Sequence, residues 1–207
     1  MAVPAFPTLH EHLQCEHDGL RERTQFRELL VAGRFLKVVR DQVMLPDGKL
    51  SSREFVQHPG AVVVVPLLED GRLLLERQYR HPVERVMIEF PAGKLDDGES
   101  GLRCAQRELL EETGCVAREW AFAGTMHNCI GYSDEHIDIW FARGLDYHQQ
   151  QLEEGELLDL VTATPQELLQ SMRDGLLTDA KTITCMLWLQ QMLDGSWQPD
   201  WQKDGQT

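Results

Sequence analysis

"GKLDDGESGLRCAQRELLEETGC", residues 93–115, closes on a helix that carries Glu108, Glu111 and Glu112 within little more than one turn. At 3.6 residues per turn Glu108 neighbours both of the others, and like charges so spaced destabilise a helix by roughly 0.2–0.5 kcal/mol per pair. Gly114 marks the helix end, because glycine accepts the left-handed conformation found there. The carboxylates therefore lie near the negative end of the helix dipole, where cations are favoured. Leu102, Ala105 and Leu109 mark the inward stripe, and Glu108 and Glu112 fall on its flank rather than opposite it. The plain reading of such a charge run is a solvated acidic face. Local energetics argue against it and ask for a cation, of which a divalent metal is the simplest.

Charge narrows the partners. A net charge of -14 over 207 residues disfavours nucleic acid, whose phosphates need lysine and arginine patches. A small phosphorylated ligand bridged by metal ions remains compatible with it. Hydrophobic residues at 42% and charged residues at 26% suit one well-buried soluble domain, or a domain with a small extension. The longest apolar run, "AVVVVPLL", is too short to span a bilayer, so no membrane is expected. The start "MAVPAFPTLHEH" has neither a basic segment nor a sustained apolar stretch, so no secretory signal is read there. Cys15, Cys104, Cys115, Cys129 and Cys185 are scattered without a CxxC pair, which indicates neither zinc nor a disulfide framework. They read as small core residues in a reducing compartment, with the cytoplasm as the expected location.

Residues 1 to about 30 show little period and read as a loosely held arm. "FLKVVRDQVMLPDGKLSSREFVQ" reads as two strands about a "PDGK" turn, and "AVVVVPLL" and "RLLLERQYR" as two more about "EDG". "VMIEF" is a further short strand. Strands near 119–126 and 135–143 and at "LLDLVTAT" follow the helix, which is expected over about 100–113. "TPQELLQSMRDG" carries Thr164 as cap, Pro165 at the first helical position and Glu167 to complete a capping box. "DAKTITCMLWLQQMLDG" is an amphipathic helix ending at Gly195, and the tail "SWQPDWQKDGQT" reads as frayed, with docking of Trp197 and Trp201 as the alternative. Strands and helices mix without regular βαβ alternation, which predicts an α+β, layered mixed-sheet domain.

The stretch of residues 93–115 resembles the Nudix box. Gly93 is followed after five residues by Glu99, and after seven more by Arg107-Glu108; Leu109, Glu111, Glu112 and Gly114 complete the pattern. Cys115 departs softly, standing where the family usually has an aliphatic residue. The resemblance covers about residues 53–195. It implies a Nudix fold, a mixed β-sheet sandwiched between helices. Ahead of it an N-terminal arm and β-hairpin occupy residues 1–57, and the hydrolase domain residues 58–207. Nudix enzymes hydrolyse a nucleoside diphosphate linked to another group, with Mg²⁺ or Mn²⁺. The charge on a pyrophosphate resists attack until hard cations neutralise it, and these prefer oxygen ligands. By resemblance, Glu108, Glu112, Glu156 and the carbonyl of Ala92 are the metal ligands. Glu111 assists them among the catalytic residues, and Arg107 orients the carboxylates; an ordinary surface ion pair is the alternative for Arg107. Glu99 is either a water-mediated ligand or a loop brace.

Within the superfamily the chain looks like the ADP-ribose pyrophosphatase group, through its N-terminal hairpin, "SREFVQHPGAVVVVP", "ERQYR" and "LLTDAKTITCMLWL". That group is homodimeric, joined by its N-terminal strands, and its general base lies on an acidic loop before a late strand. "QQLEEGELLDL" occupies that place, with Glu154 assigned as base and Glu156 as ligand. Arg53 and Arg80 match arginines that contact substrate, and Glu135 in "IGYSDE" a residue that recognises the terminal ribose. Solvated or structural roles are the alternatives for each. Ile130 stands where the group carries proline, which keeps GDP-mannose and ADP-sugars open as substrates beside ADP-ribose. A non-catalytic nucleotide sensor is the reading from another class. Such modules usually lose box glutamates, and here every one is present.

Overall fold

The computed structural model describes Leu9 and residues 18–205; Cys15 and most of the expected arm lie outside them. Two units follow one another, divided between Gln57 and His58. In the first, β1 (Arg23–Ala32), β2 (Lys37–Met44) and β3 (Leu50–Gln57) form an antiparallel sheet in that order. β1 corrects the reading of this stretch as a loose arm: it pairs with β2 from Arg23↔Met44 to Ala32↔Lys37. Nine of its ten residues are exposed, so its sequence carries no alternation to betray a strand. The ladder and an Arg27–Asp41 fork, at 2.6 and 2.7 Å, hold it instead. The Arg27 guanidinium keeps the Asp41 carboxyl below its ordinary range.

The second unit is built on a mixed sheet. Its path runs β10 (Leu158–Ala163), β5 (Leu73–Arg80), β4 (Ala61–Leu67), β9 (Ile137–Tyr147), β8 (Cys115–Met126), β11 (Gln202–Lys203). β4 and β9 are parallel and the other pairs antiparallel. β4 is apolar at every position because both its faces are covered. Ala61, Val63 and Val65 enter one core, while Val62 and Val64 enter the other. α1 (Gly101–Thr113) closes the second core with Cys104, Ala105 and Leu109. α2 (Pro165–Arg173) and α3 (Ala180–Asp194) close the first with Leu168, Cys185, Met186 and Leu189. The arrangement is the α+β sandwich that the mixed pattern predicts.

Helix boundaries follow their caps. Ser100 accepts from Arg103 N, Thr164 and Glu167 form the reciprocal box, and Asp179 caps α3. Gly114 ends α1 at φ 70°, and β8 begins at the next residue. The tail is not frayed up to residue 205. Trp197 packs edge-on against Phe141 and Trp188, the Arg143 guanidinium lies 4.0 Å over the Trp201 ring, and Gln202–Lys203 pairs with β8. The apolar area of two tryptophans outweighs the polar composition around them. No described helix is long and apolar enough to cross a membrane.

One irregularity of the sheet places the site. β4 and β5 share a single bridge, Leu67↔Leu73, and then part. β6 (Arg85–Glu89) fills the gap along β5, and β7 (Ala92–Lys94) fills it along β4. The C-terminal turn of α1 comes down over this split.

Candidate active site

Glu108 and Glu112 are not the solvated face of a helix. They are 9% and 3% exposed, turned toward β7. Glu112 Oε2 accepts from the Ala92 amide at 2.9 Å, which ties the end of α1 to the start of β7. Burial, and after it the charges of Glu76 and Glu108, pushes Glu112 up to about 10. Burial likewise pushes Glu108 up to about 7, against the pull of Arg107. Part of the cation that the sequence asks for is therefore Arg107. Its Nη1 donates to Glu108 Oε1 at 2.7 Å and to Glu111 Oε2 at 3.1 Å, and its Nε and Nη2 grip both oxygens of Glu99. Glu99 is pulled down to about 2 by this guanidinium and also accepts from Asp96 N, bracing the loop.

Gly93 stands where a side chain cannot. A Cβ built on it would overlap the Glu108 carboxylate, so the glycine gives that carboxylate its place against β7. Glu156 approaches from the loop before β10, where its Oε1 accepts from Gln78 Nε2 at 3.4 Å and its Oε2 from Glu153 N. Ala92, Arg107, Glu108, Glu111, Glu112 and Glu156 are thus brought to one place. A family profile described as "NUDIX domain" matches residues 57–184.

The chain belongs to the Nudix family. It is 38% identical over 173 residues to a methanol dehydrogenase activator of Bacillus methanolicus, covering 82% of this chain and 92% of that protein. It is 34% identical over 174 residues to an ADP-ribose pyrophosphatase of Bacillus subtilis (strain 168), covering 83% and 94%. A crystal structure of an ADP compounds hydrolase superposes with a TM-score of 0.77 at 23% identity, over 86% of this chain and 97% of that one. That likeness shows the fold.

The Nudix carboxylates fit a divalent cation by their own chemistry. Burial first, and then neighbouring carboxylate charge, raises the pKa of Glu108 and of Glu112, an arrangement a hard cation relieves. As placed, no three His, Cys, Asp or Glu side chains among the described residues enclose an ion. Arg107 Nη1 holds Glu108 Oε1 and Glu111 Oε2, and the Ala92 amide holds Glu112 Oε2.

Glu154 is exposed on the turn before β10. Glu135 lies ahead of β9 with its Oε1 3.5 Å from His58 Nε2, an ion pair only while His58 is protonated, and burial lowers the His58 pKa. Arg53 belongs to β3 in the first unit, where it pairs with Glu22. Arg80 ends β5 in a two-bond fork to Glu89, at 2.8 and 2.9 Å. Glu89 is 2% exposed and also binds Lys181 Nζ at 2.8 Å.

Sequence reading passed over Glu76, Gln78, Glu89 and Lys181. Strand alternation was the available signal, because it sets Glu76 on the same inward face as Leu74. A groove of about 870 Å³ opens elsewhere, between the β4–β5 turn, β8, β9 and α3, and none of the candidate residues lines it.

Proposed function

We propose that this Nudix hydrolase cleaves the pyrophosphate of ADP-ribose to AMP and ribose 5-phosphate, using Mg²⁺ or Mn²⁺. The observation that carries the proposal is the set of buried box carboxylates gathered at Ala92. The choice of substrate is supported by the likeness, over nearly its full length, to the Bacillus subtilis ADP-ribose pyrophosphatase. When bound, a divalent ion neutralises phosphate charge and polarises the phosphoryl oxygen. Glu108, Glu112, Glu156 and the Ala92 carbonyl hold it. Arg107, gripped by Glu99, holds Glu108 and Glu111 in place. Glu154, on its exposed turn, takes the proton of the attacking water. Glu89 occupies Nε and Nη2 of Arg80, which leaves Nη1 for a phosphate oxygen. Arg53 is the other arginine assigned to the substrate.

Incubation with Mg²⁺ and a panel of ADP-ribose, GDP-mannose and ADP-glucose, with product analysis, tests the reading. AMP and ribose 5-phosphate from ADP-ribose support it, and no cleavage of any of the three overturns it. Ile130, 83% exposed in the loop ahead of β9, supplies the second reading. If it relaxes selectivity, GDP-mannose or an ADP-sugar is cleaved as fast as ADP-ribose.

Glu135 we assign to the terminal ribose. Glu135→Ala should raise KM for ADP-ribose by about tenfold, the loss of one charged hydrogen bond, and lower kcat less. A loss confined to kcat would move Glu135 to the reacting phosphates.

We also propose that residues of about 35–60 join two copies of the chain, placed in the cytoplasm. Phe35 and Leu50 are each more than half exposed, and among the described residues β1 and β3 each pair with β2 alone in the N-terminal sheet. Light scattering at micromolar concentration should give a dimer mass; a monomer mass excludes it.

A further inference from the structure

Glu76 is 0% exposed, and among the described residues neither of its carboxylate oxygens has a hydrogen-bond partner. Such a group is expensive to keep in a strand that leucine or valine would suit. Alternation along β5 says where it points. Leu73 and Leu75 enter the core under α2 and α3, while Leu74 enters the core under α1. Glu76, two residues past Leu74, faces α1, and so does Gln78, which donates to Glu156. The Glu76 carboxyl therefore lies between Leu74 and Gln78, on the floor of the split that α1 covers with Glu108 and Glu112.

Its neighbours do not neutralise it. Glu89, directly opposite on β6, takes the Arg80 fork and Lys181 for itself. Burial and the Glu89 charge push Glu76 up to about 8, and its charge in turn is the largest single one acting on Glu112. The group is held at the carboxylate cluster with no hydrogen bond to the fold among the described residues.

We propose that Glu76 is a further ligand of the divalent-cation centre, supplied by the sheet from outside the Nudix box. With Glu108, Glu112 and Glu156 it surrounds the split with four carboxylates, a donor set suited to hard cations. This inference rests on the reading of Glu108 and Glu112 as ligands, so the test must separate the two.

Mn²⁺ alone is titrated into the full chain without substrate, with free Mn²⁺ followed by electron paramagnetic resonance. Glu76→Gln and Glu76→Val are compared with wild type and with Glu112→Gln. Both Glu76 variants should weaken Mn²⁺ binding by about tenfold or more, the least expected when a ligand rather than an outer partner is lost. Their metal-free forms should melt no lower than wild type, since a desolvated carboxyl has been removed. If one variant fails to fold, the other carries the test. Wild-type Mn²⁺ affinity in a folded Glu76 variant overturns the inference when Glu112→Gln has lost affinity. Weakened binding accompanied by a lower metal-free melting temperature in both variants also overturns it, because Glu76 would then be structural. If Glu112→Gln keeps wild-type affinity as well, the metal reading of the whole site fails.

Discussion

Glu112→Gln should lower kcat on ADP-ribose by about two orders of magnitude or more, because a metal ligand supports several kcal/mol of charge stabilisation in the transition state. The same change should leave the metal-free protein melting no lower than wild type. Glu112 is 3% exposed at the negative end of α1, beside Glu108 and under the field of Glu76. Burial holds this carboxyl protonated at neutral pH in the metal-free protein, and glutamine keeps its shape, stays uncharged and can still accept from the Ala92 amide. A loss of activity with no loss of stability is the signature of a residue kept for chemistry. Steady-state kinetics and a thermal melt in chelator read the two halves separately. A large fall in melting temperature would mean that the carboxylate is structural.

Gly93→Ala should be nearly as damaging to activity while replacing no carboxylate. The backbone at Gly93 is ordinary β7 strand, so alanine meets no conformational strain. Its Cβ instead overlaps the Glu108 carboxylate, which must swing away and lose its Arg107 contact. A displaced ligand should cost about two orders of magnitude in kcat, as removal does. Stability should change little, because the displaced atoms end a flexible side chain and alanine restricts the unfolded chain by about 0.4–1 kcal/mol. Wild-type kcat in this variant would mean that Glu108 does not need the position it holds.

The box was legible because its physics is local. The glycine stop at Gly114, the 3.6-residue stripe, and the crowding of Glu108, Glu111 and Glu112 all lie within one short stretch. The capping box of α2 and the end of α3 at Gly195 were legible for the same reason. β1 was not, since a strand exposed on both faces has no period to read. The sequence leaves the docking of Trp197 and Trp201 open, because their partners Phe141 and Arg143 lie far away in it.

The site shows the same division. Glu108 and Glu112 were visible as carboxylates, but not their burial, which depends on β7 passing beneath α1. Glu76 looked like an ordinary charge in "LLLERQYR". Only the parting of β4 from β5 turns it into a buried acid beside Glu112. Arg80 was legible as an arginine suited to phosphate, whereas its fork to Glu89 follows from the pairing of β5 with β6.

That the carboxylates gathered at Ala92 hold a divalent cation is tested most directly by the melting temperatures of wild type and Glu112→Gln, each with and without Mg²⁺. Only an ion bound to the folded state raises stability by mass action. The expected result is a clear Mg²⁺-induced rise in wild type and a much smaller one in Glu112→Gln. An equal rise in both, in a variant that keeps wild-type activity, would contradict the metal site.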